Sequence, residues 1–135
     1  MAFGTLIAAL PPVTYGAAPP PPDALVKELM TRDVVGASGK EINLLTVEYL
    51  AAGASLPHRH NAQVFVYVLE GAVRMQVAGA AAVTLGPGQT FYEGPDDIHT
   101  VSANASKTKV ARFLVFIVKD KGAPASSPVS QAGQL

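Results

Sequence analysis

The sequence predicts an all-β domain, a sandwich or barrel of short strands. Runs rich in β-branched and aromatic residues recur along the middle of the chain. Gly71, Gly79 and Gly88 separate them at close intervals, the spacing of an all-β fold. No segment reads convincingly as a helix longer than a turn or two. Asp23 to Met30 is the one weak candidate.

Glu41 to Leu50 (EINLLTVEYL) is the first strand expected. Val64 to Glu70 (VFVYVLE) is an aromatic and β-branched run that stops at Gly71, with Glu70-Gly71 read as turn chemistry. Val73 to Val77 alternates apolar and polar side chains, as a half-buried strand does. Ala82 to Leu85 is short and ends at the turn signal Gly86-Pro87-Gly88. Thr90 to Glu93, His99 to Ala103 and Lys109 to Lys119 complete the set. Val115 to Val118 is apolar at every position, which suits a strand covered on both faces.

With 135 residues the chain holds one core and not two. It is 49% hydrophobic and 15% charged, and its ten basic residues balance its ten acidic ones. No basic stripe interleaved with aromatics exists, so nucleic acid is not an expected partner. The absence of cysteine excludes disulfides, thiolate metal sites and a cysteine nucleophile. No apolar run is long enough to span a membrane. Residues 1–22 carry no charge and end in Pro19 to Pro22, with Gly16-Ala17-Ala18 before them. They read as the end of a secretory signal, which places the mature protein in the periplasm or outside the cell. The missing positive n-region leaves a Pro-rich leader on a cytoplasmic protein as the alternative. Residues 122–135 are small, polar and Pro-containing, and are expected to form a flexible tail beyond a domain of residues 23–121.

The chemistry-bearing residues are the histidines. His58 and His60 stand as His-Arg-His, and in a strand residues i and i+2 face the same side. Their imidazoles can therefore converge on one ion, and a folded barrel can bring His99 opposite them. A bare His-x-His is common by chance, so the surroundings decide. The stretch Gly53…His58-Arg-His60…Tyr67-Val-Leu-Glu-Gly71 resembles the first cupin motif, G(x)5HxH(x)3–4E(x)6G, with one residue fewer between Gly53 and His58. Gly88-Gln-Thr-Phe-Tyr-Glu-Gly94-Pro-Asp-Asp-Ile-His99 and Asn104 more loosely resemble the second, G(x)5PxG(x)2H(x)3N. Gly94 and Asp96 stand in its Pro and Gly places, and Asn104 comes one residue late. The resemblance implies a double-stranded β-helix, a jelly-roll barrel, with a metal held by His58, His60 and His99.

The main departure concerns the family's glutamate ligand, whose place is taken by Val64. The neighbouring Gln63 faces away from His60 unless a bulge turns it inward. The expected site is thus three neutral imidazoles without a carboxylate, which leaves the ion its full positive charge. Such three-histidine sites occur among the family's dioxygenases. Glu93 is the next residue of interest, as a general base, as a hydrogen-bond partner of a ligand, or as a substitute carboxylate on the metal. Its alternative is a solvated strand end.

Val64, Val66 and Val68 share parity with the histidines and are expected to line an apolar interior. Phe65, Tyr67 and Leu69 face outward, either under the N-terminal strands or, as the resemblance suggests, in a homodimer contact. Arg59, Asp96 and Asp97 are expected to face solvent. Asn104-Ala-Ser fits a glycosylation acceptor in form only. The functional expectation is a mononuclear metal oxygenase or related oxidoreductase acting on a small organic substrate. Iron(II) is the first candidate, with manganese, nickel, copper and zinc as further ones. A non-catalytic module holding a small ligand or metal is the alternative, and a metal-free isomerase of the sugar-epimerase sort is a third.

Overall fold

The computed structural model describes residues 24–129. Among the described residues there are eleven strands: β1 Ala24–Asp33, β2 Lys40–Tyr49, β3 Ala54–Ser55, β4 His58–Arg59, β5 Gln63–Glu70, β6 Val73–Val77, β7 Val83–Leu85, β8 Thr90–Glu93, β9 His99–Asn104, β10 Ala111–Asp120 and β11 Ser127–Pro128. They form two antiparallel sheets. One runs β1-β2-β10-β5-β8; the other runs β11-β4-β9-β6-β7, with β3 also paired to β9. This is the expected jelly roll.

Period-two alternation builds the core. Leu45, Val47 and Tyr49 of β2, Val64, Val66 and Val68 of β5, and Phe113, Val115 and Ile117 of β10 all point inward and are buried. From the opposite sheet Val73 and Met75 meet them, both fully buried. β10 lies between β2 and β5, so its backbone is satisfied on both edges. Its outward Phe116 and Val118 are only half-buried, however, so this strand is not covered on both faces as expected.

Three other expectations need correction. Asp23 to Met30, the weak helix candidate, is extended from Ala24 onward as β1, because pairing with β2 from Ala24↔Tyr49 to Asp33↔Glu41 satisfies its backbone. The supposed tail is ordered as far as Val129. Ser127 and Pro128 pair with Arg59 and His58, and Pro128 is tolerated there because β11 is an edge strand. Third, β1 extends the sheet from the far edge and does not cover Phe65, Tyr67 and Leu69. These remain 41–46% exposed, with Phe65 against Tyr92 at 5.2 Å between ring centres. The leader read from residues 1–22 lies outside the described residues.

Two details set the strands that carry the histidines. In β9, Gln76 pairs with Val101 and Val77 with His99, so Thr100 is an extra, bulged residue, and its hydroxyl donates to the Gln76 carbonyl at 3.2 Å. The buried Asn104 ends the same strand. Its amide donates to the carbonyls of Leu50 (3.0 Å) and Lys109 (2.6 Å), and its Oδ1 accepts from the Ser106 amide (2.8 Å). That tie joins β9 to the end of β2 and the start of β10.

Gly71 turns β5 into β6 with φ +72°, and a Cβ there would stand 2.5 Å from the Val110 carbonyl oxygen. Backbone in that position cannot yield without moving β10. Gly71→Ala is therefore expected to lower stability by about 1–3 kcal/mol, read as a lower urea midpoint at unchanged slope.

Candidate metal centre

His58 and His99 are direct cross-strand partners on β4 and β9, with ring centres 5.0 Å apart. His60 follows β4 by one residue, and Asn61 then takes a left-handed φ of 50°, a conformation asparagine tolerates well. That turn sends the chain into β5 and leaves the His60 ring 4.8 Å from that of His58. Glu93 is the last residue of β8, directly across from Val64 of β5. The turn from Glu93 to His99 is closed by Asp97. Its carboxylate accepts from the Gly94 amide at 2.7 Å, and its own amide donates to the Gly94 carbonyl at 3.2 Å. Asp97 is consequently half-buried and not a free surface charge, whereas Asp96 is exposed. Arg59, also expected in solvent, is half-buried.

The hydrogen bonds assign the tautomers of two rings. His58 Nδ1 lies 2.7 Å from the Leu56 carbonyl oxygen, and His60 Nδ1 lies 2.6 Å from that of Ala125. A carbonyl only accepts, so both Nδ1 atoms carry the proton and both Nε2 atoms present lone pairs. These two Nε2 atoms are 3.1 Å apart. Two lone pairs at that separation do not bond to one another, and both are directed so that they could share one cation. Burial pushes the His58 imidazole below its ordinary pKa against the raising effect of its Leu56 hydrogen bond, and the neighbouring His60 and His99 push it the same way. The neutral, metal-binding form is thereby favoured.

Glu93 and His99 are 2% and 3% exposed. Glu93 Oε1 stands 3.1 Å from His99 Nδ1, yet the angle makes no hydrogen bond, and Oε1 and both His99 nitrogens have no partner among the described residues. The other carboxylate oxygen is 3.7 Å from His60 Nε2. One donor atom from each of His58, His60, Glu93 and His99 falls within 4.8 Å of every other. Ligands at right angles around an ion, each ~2.1 Å from it, lie about 3.0 Å apart. The spacings, the donor types and the orphaned buried atoms all fit a divalent transition metal.

The structure thus brings His58, His60 and His99 together. The cluster is not carboxylate-free as expected from Val64: Glu93, one of whose expected roles is a substitute carboxylate, brings its carboxylate in from the neighbouring strand. Val64 itself is fully buried and offers no ligand atom, and Gln63 remains on the outer face, since β5 has no bulge there. Sequence reasoning did not anticipate the Ala125 carbonyl, which lies in the segment read as a tail. It also overlooked Tyr49, Ser55 and Ser102, which carry no motif.

The four residues stand in the wall of a cavity of about 480 Å³. Val47, Val66, Met75, Phe113, Val115 and Ile117 make much of the remaining wall. An apolar chamber with a few converging polar groups is the usual form of a small-molecule site.

A cupin domain profile matches residues 45–117. No curated protein matches the sequence. Among solved structures, the DMSP lyase DddQ from Ruegeria pomeroyi DSS-3 superposes with a TM-score of 0.64 at 18% identity, over 82% of this chain and 54% of that one. An oxalate oxidase in complex with the substrate analogue glycolate gives 0.61 at 21% identity, over 78% and 55%. A cupin 2 conserved barrel domain protein from Rhodopseudomonas palustris gives 0.63 at 17% identity, over 87% and 73%. The chain spans about half the length of the lyase and oxidase chains it matches. At these identities the likeness is one of fold.

The Ala125 carbonyl orients His60 from outside the cluster. Ending the chain at Pro124 removes that acceptor together with the edge strand β11, and leaves β1-β2-β10-β5-β8 and β4-β9-β6-β7 in place. Zinc titration of this shortened protein is expected to show affinity lower by roughly ten- to a hundredfold, the usual effect of losing a partner that orients a ligand. Unchanged affinity would mean that the contact does not matter.

Proposed function

The chain belongs to the cupin domain family, and on that footing we propose that it is a mononuclear metal-dependent oxidoreductase of the oxygenase kind, acting on a small organic substrate. The observation that carries this reading is the convergence of four donor side chains, among which the buried Glu93 Oε1 and both His99 nitrogens find no partner. Bound there, a redox-capable divalent ion would activate oxygen or a substrate oxygen. Iron(II) is the first choice, and manganese, nickel, copper and zinc suit the same donors. His58, His60, Glu93 and His99 would hold the ion, the single carboxylate leaving one net positive charge on the ion and its ligands. Val66, Val115 and Ile117 would keep water from the reacting face and favour an apolar substrate carrying an oxygen donor.

One observation favours a second reading, a non-catalytic module that holds a ligand or a metal. If Glu93 is spent on the ion, no free carboxylate or imidazole among the described residues faces the cavity to serve as a base.

Elemental analysis tests the shared premise. We expect one transition-metal ion per chain, lost in His58→Ala and His99→Ala and weakened in Glu93→Gln. Protons compete for the same nitrogens, and burial already holds His58 below the ordinary imidazole value of about 6.5, so metal is retained at neutral pH and released only at a pH lower than that value. A folded protein that refuses iron(II), manganese(II) and zinc(II) would refute both the metalloenzyme and the metal-holding module. Oxygen uptake by the iron(II) form with small oxygenated acids and ketones then separates the two readings. Consumption that depends on substrate and is lost in His99→Ala supports the enzyme; metal binding without any consumption supports the module.

A further inference from the structure

We infer that Tyr49, Ser55 and Ser102 form a second polar anchor in the same cavity, a hydrogen-bond donor for a carbonyl or ether oxygen of the bound molecule. The Tyr49 hydroxyl lies 2.6 Å from Ser55 Oγ and 2.7 Å from Ser102 Oγ. All three side chains line the cavity, and none of the three hydroxyls has another side-chain or backbone partner among the described residues. Three hydroxyls carry three protons, and two hydrogen bonds use two of them. Whichever way the bonds run, one O–H is left without an acceptor. In a chamber walled by Val47, Met75, Phe113 and Val115 the remaining acceptor is whatever enters. Burial holds the Tyr49 phenol above its ordinary pKa, so at neutral pH it remains a protonated member of the cluster.

The position of this cluster gives the ligand a length. Ser55 pairs with Ser102 and His58 with His99, so the hydroxyls and the histidines occupy two rungs of one strand system. Ser102 is three residues beyond His99 with the bulged Thr100 between, a separation of roughly 7–10 Å along the strand. On the proposed function, the ligand class is then a short, mainly apolar acid with its carboxylate at the metal and a keto or ether oxygen further along.

Two matched pairs of probes test this with the full chain. In chelator-treated protein, cyclohexanone is compared with methylenecyclohexane, the same ring with its oxygen replaced by carbon, by NMR titration. The hydrocarbon gains from burial on its own, so the quantity read is the ketone-to-hydrocarbon affinity ratio. It is expected to be roughly two- to tenfold higher in the parent than without the hydroxyls, the worth of one hydrogen bond, with the carbonyl stretch of the bound ketone lowered. The triple variant Tyr49→Phe/Ser55→Ala/Ser102→Ala removes the whole network, leaves no orphaned hydroxyl, and is expected to melt near the parent and show the lower ratio. No ketone binding, or a ratio unchanged in the triple variant, overturns the inference. Should that variant not fold, the carbonyl stretch of the ketone bound to the parent decides, an unshifted band being the adverse result. In zinc-loaded protein, the levulinate-to-pentanoate affinity ratio should likewise fall in the triple variant. Failure of both acids to bind, with the ketone preference intact, would refute the metal anchor and leave the hydroxyl donor standing.

Discussion

Two imidazole lone pairs facing each other across 3.1 Å are the constraint on which the site depends. Each is put there by a backbone carbonyl that takes the proton on the other side of the ring, Leu56 for His58 and Ala125 for His60. The arrangement is unfavourable in an empty barrel, since two acceptors face each other with no donor between them. It becomes favourable around a cation. Because the protons are fixed by main chain and not by mobile side chains, the rings are oriented before any ion arrives, and little ordering remains to be done on binding.

Glu93 shows how a sheet lets a carboxylate reach one small volume from either of two paired strands. Val64 and Glu93 are cross-strand partners whose side chains both point inward. Opposed residues in an antiparallel pair bring their Cβ atoms to about 5 Å. A carboxylate on either strand would therefore reach the same small volume, and here it stands on β8 with Val64 packed opposite. The electrostatic consequence would be large, because one negative charge close to a divalent ion would halve the net charge that a ligand meets there.

The bulge at Thr100 gives the cavity its second polar group. In a regular strand His99 and Ser102, three residues apart, would face opposite sides. The extra residue resets the parity, so that His99, Ser102 and Asn104 are all buried on one side. His99 then joins the metal cluster and Ser102 the hydroxyl cluster, while Asn104 locks the strand to the ends of β2 and β10. One inserted residue thus sets what the chamber presents along its length.

The sequence by itself determined the architecture and the three histidines. Alternating burial in β2, β5 and β10 follows from a period of two, which is local, and His58 and His60 share a face for the same reason. What it could not determine were contacts between residues far apart in the chain. The Ala125 carbonyl on His60, the inward carboxylate of Glu93 and the Tyr49–Ser55–Ser102 cluster all depend on strand register, and register is set by long-range pairing. The run after Asp23 became a strand, and the segment after Gly122 became a buttress, for one reason: β2 and β4 offered unpaired backbone, and hydrogen-bond completion outweighed weak local preference. Only the tertiary structure decided how many donors the site has and which proton each of two histidines keeps, because both are properties of where carbonyls and carboxylates come to rest in space.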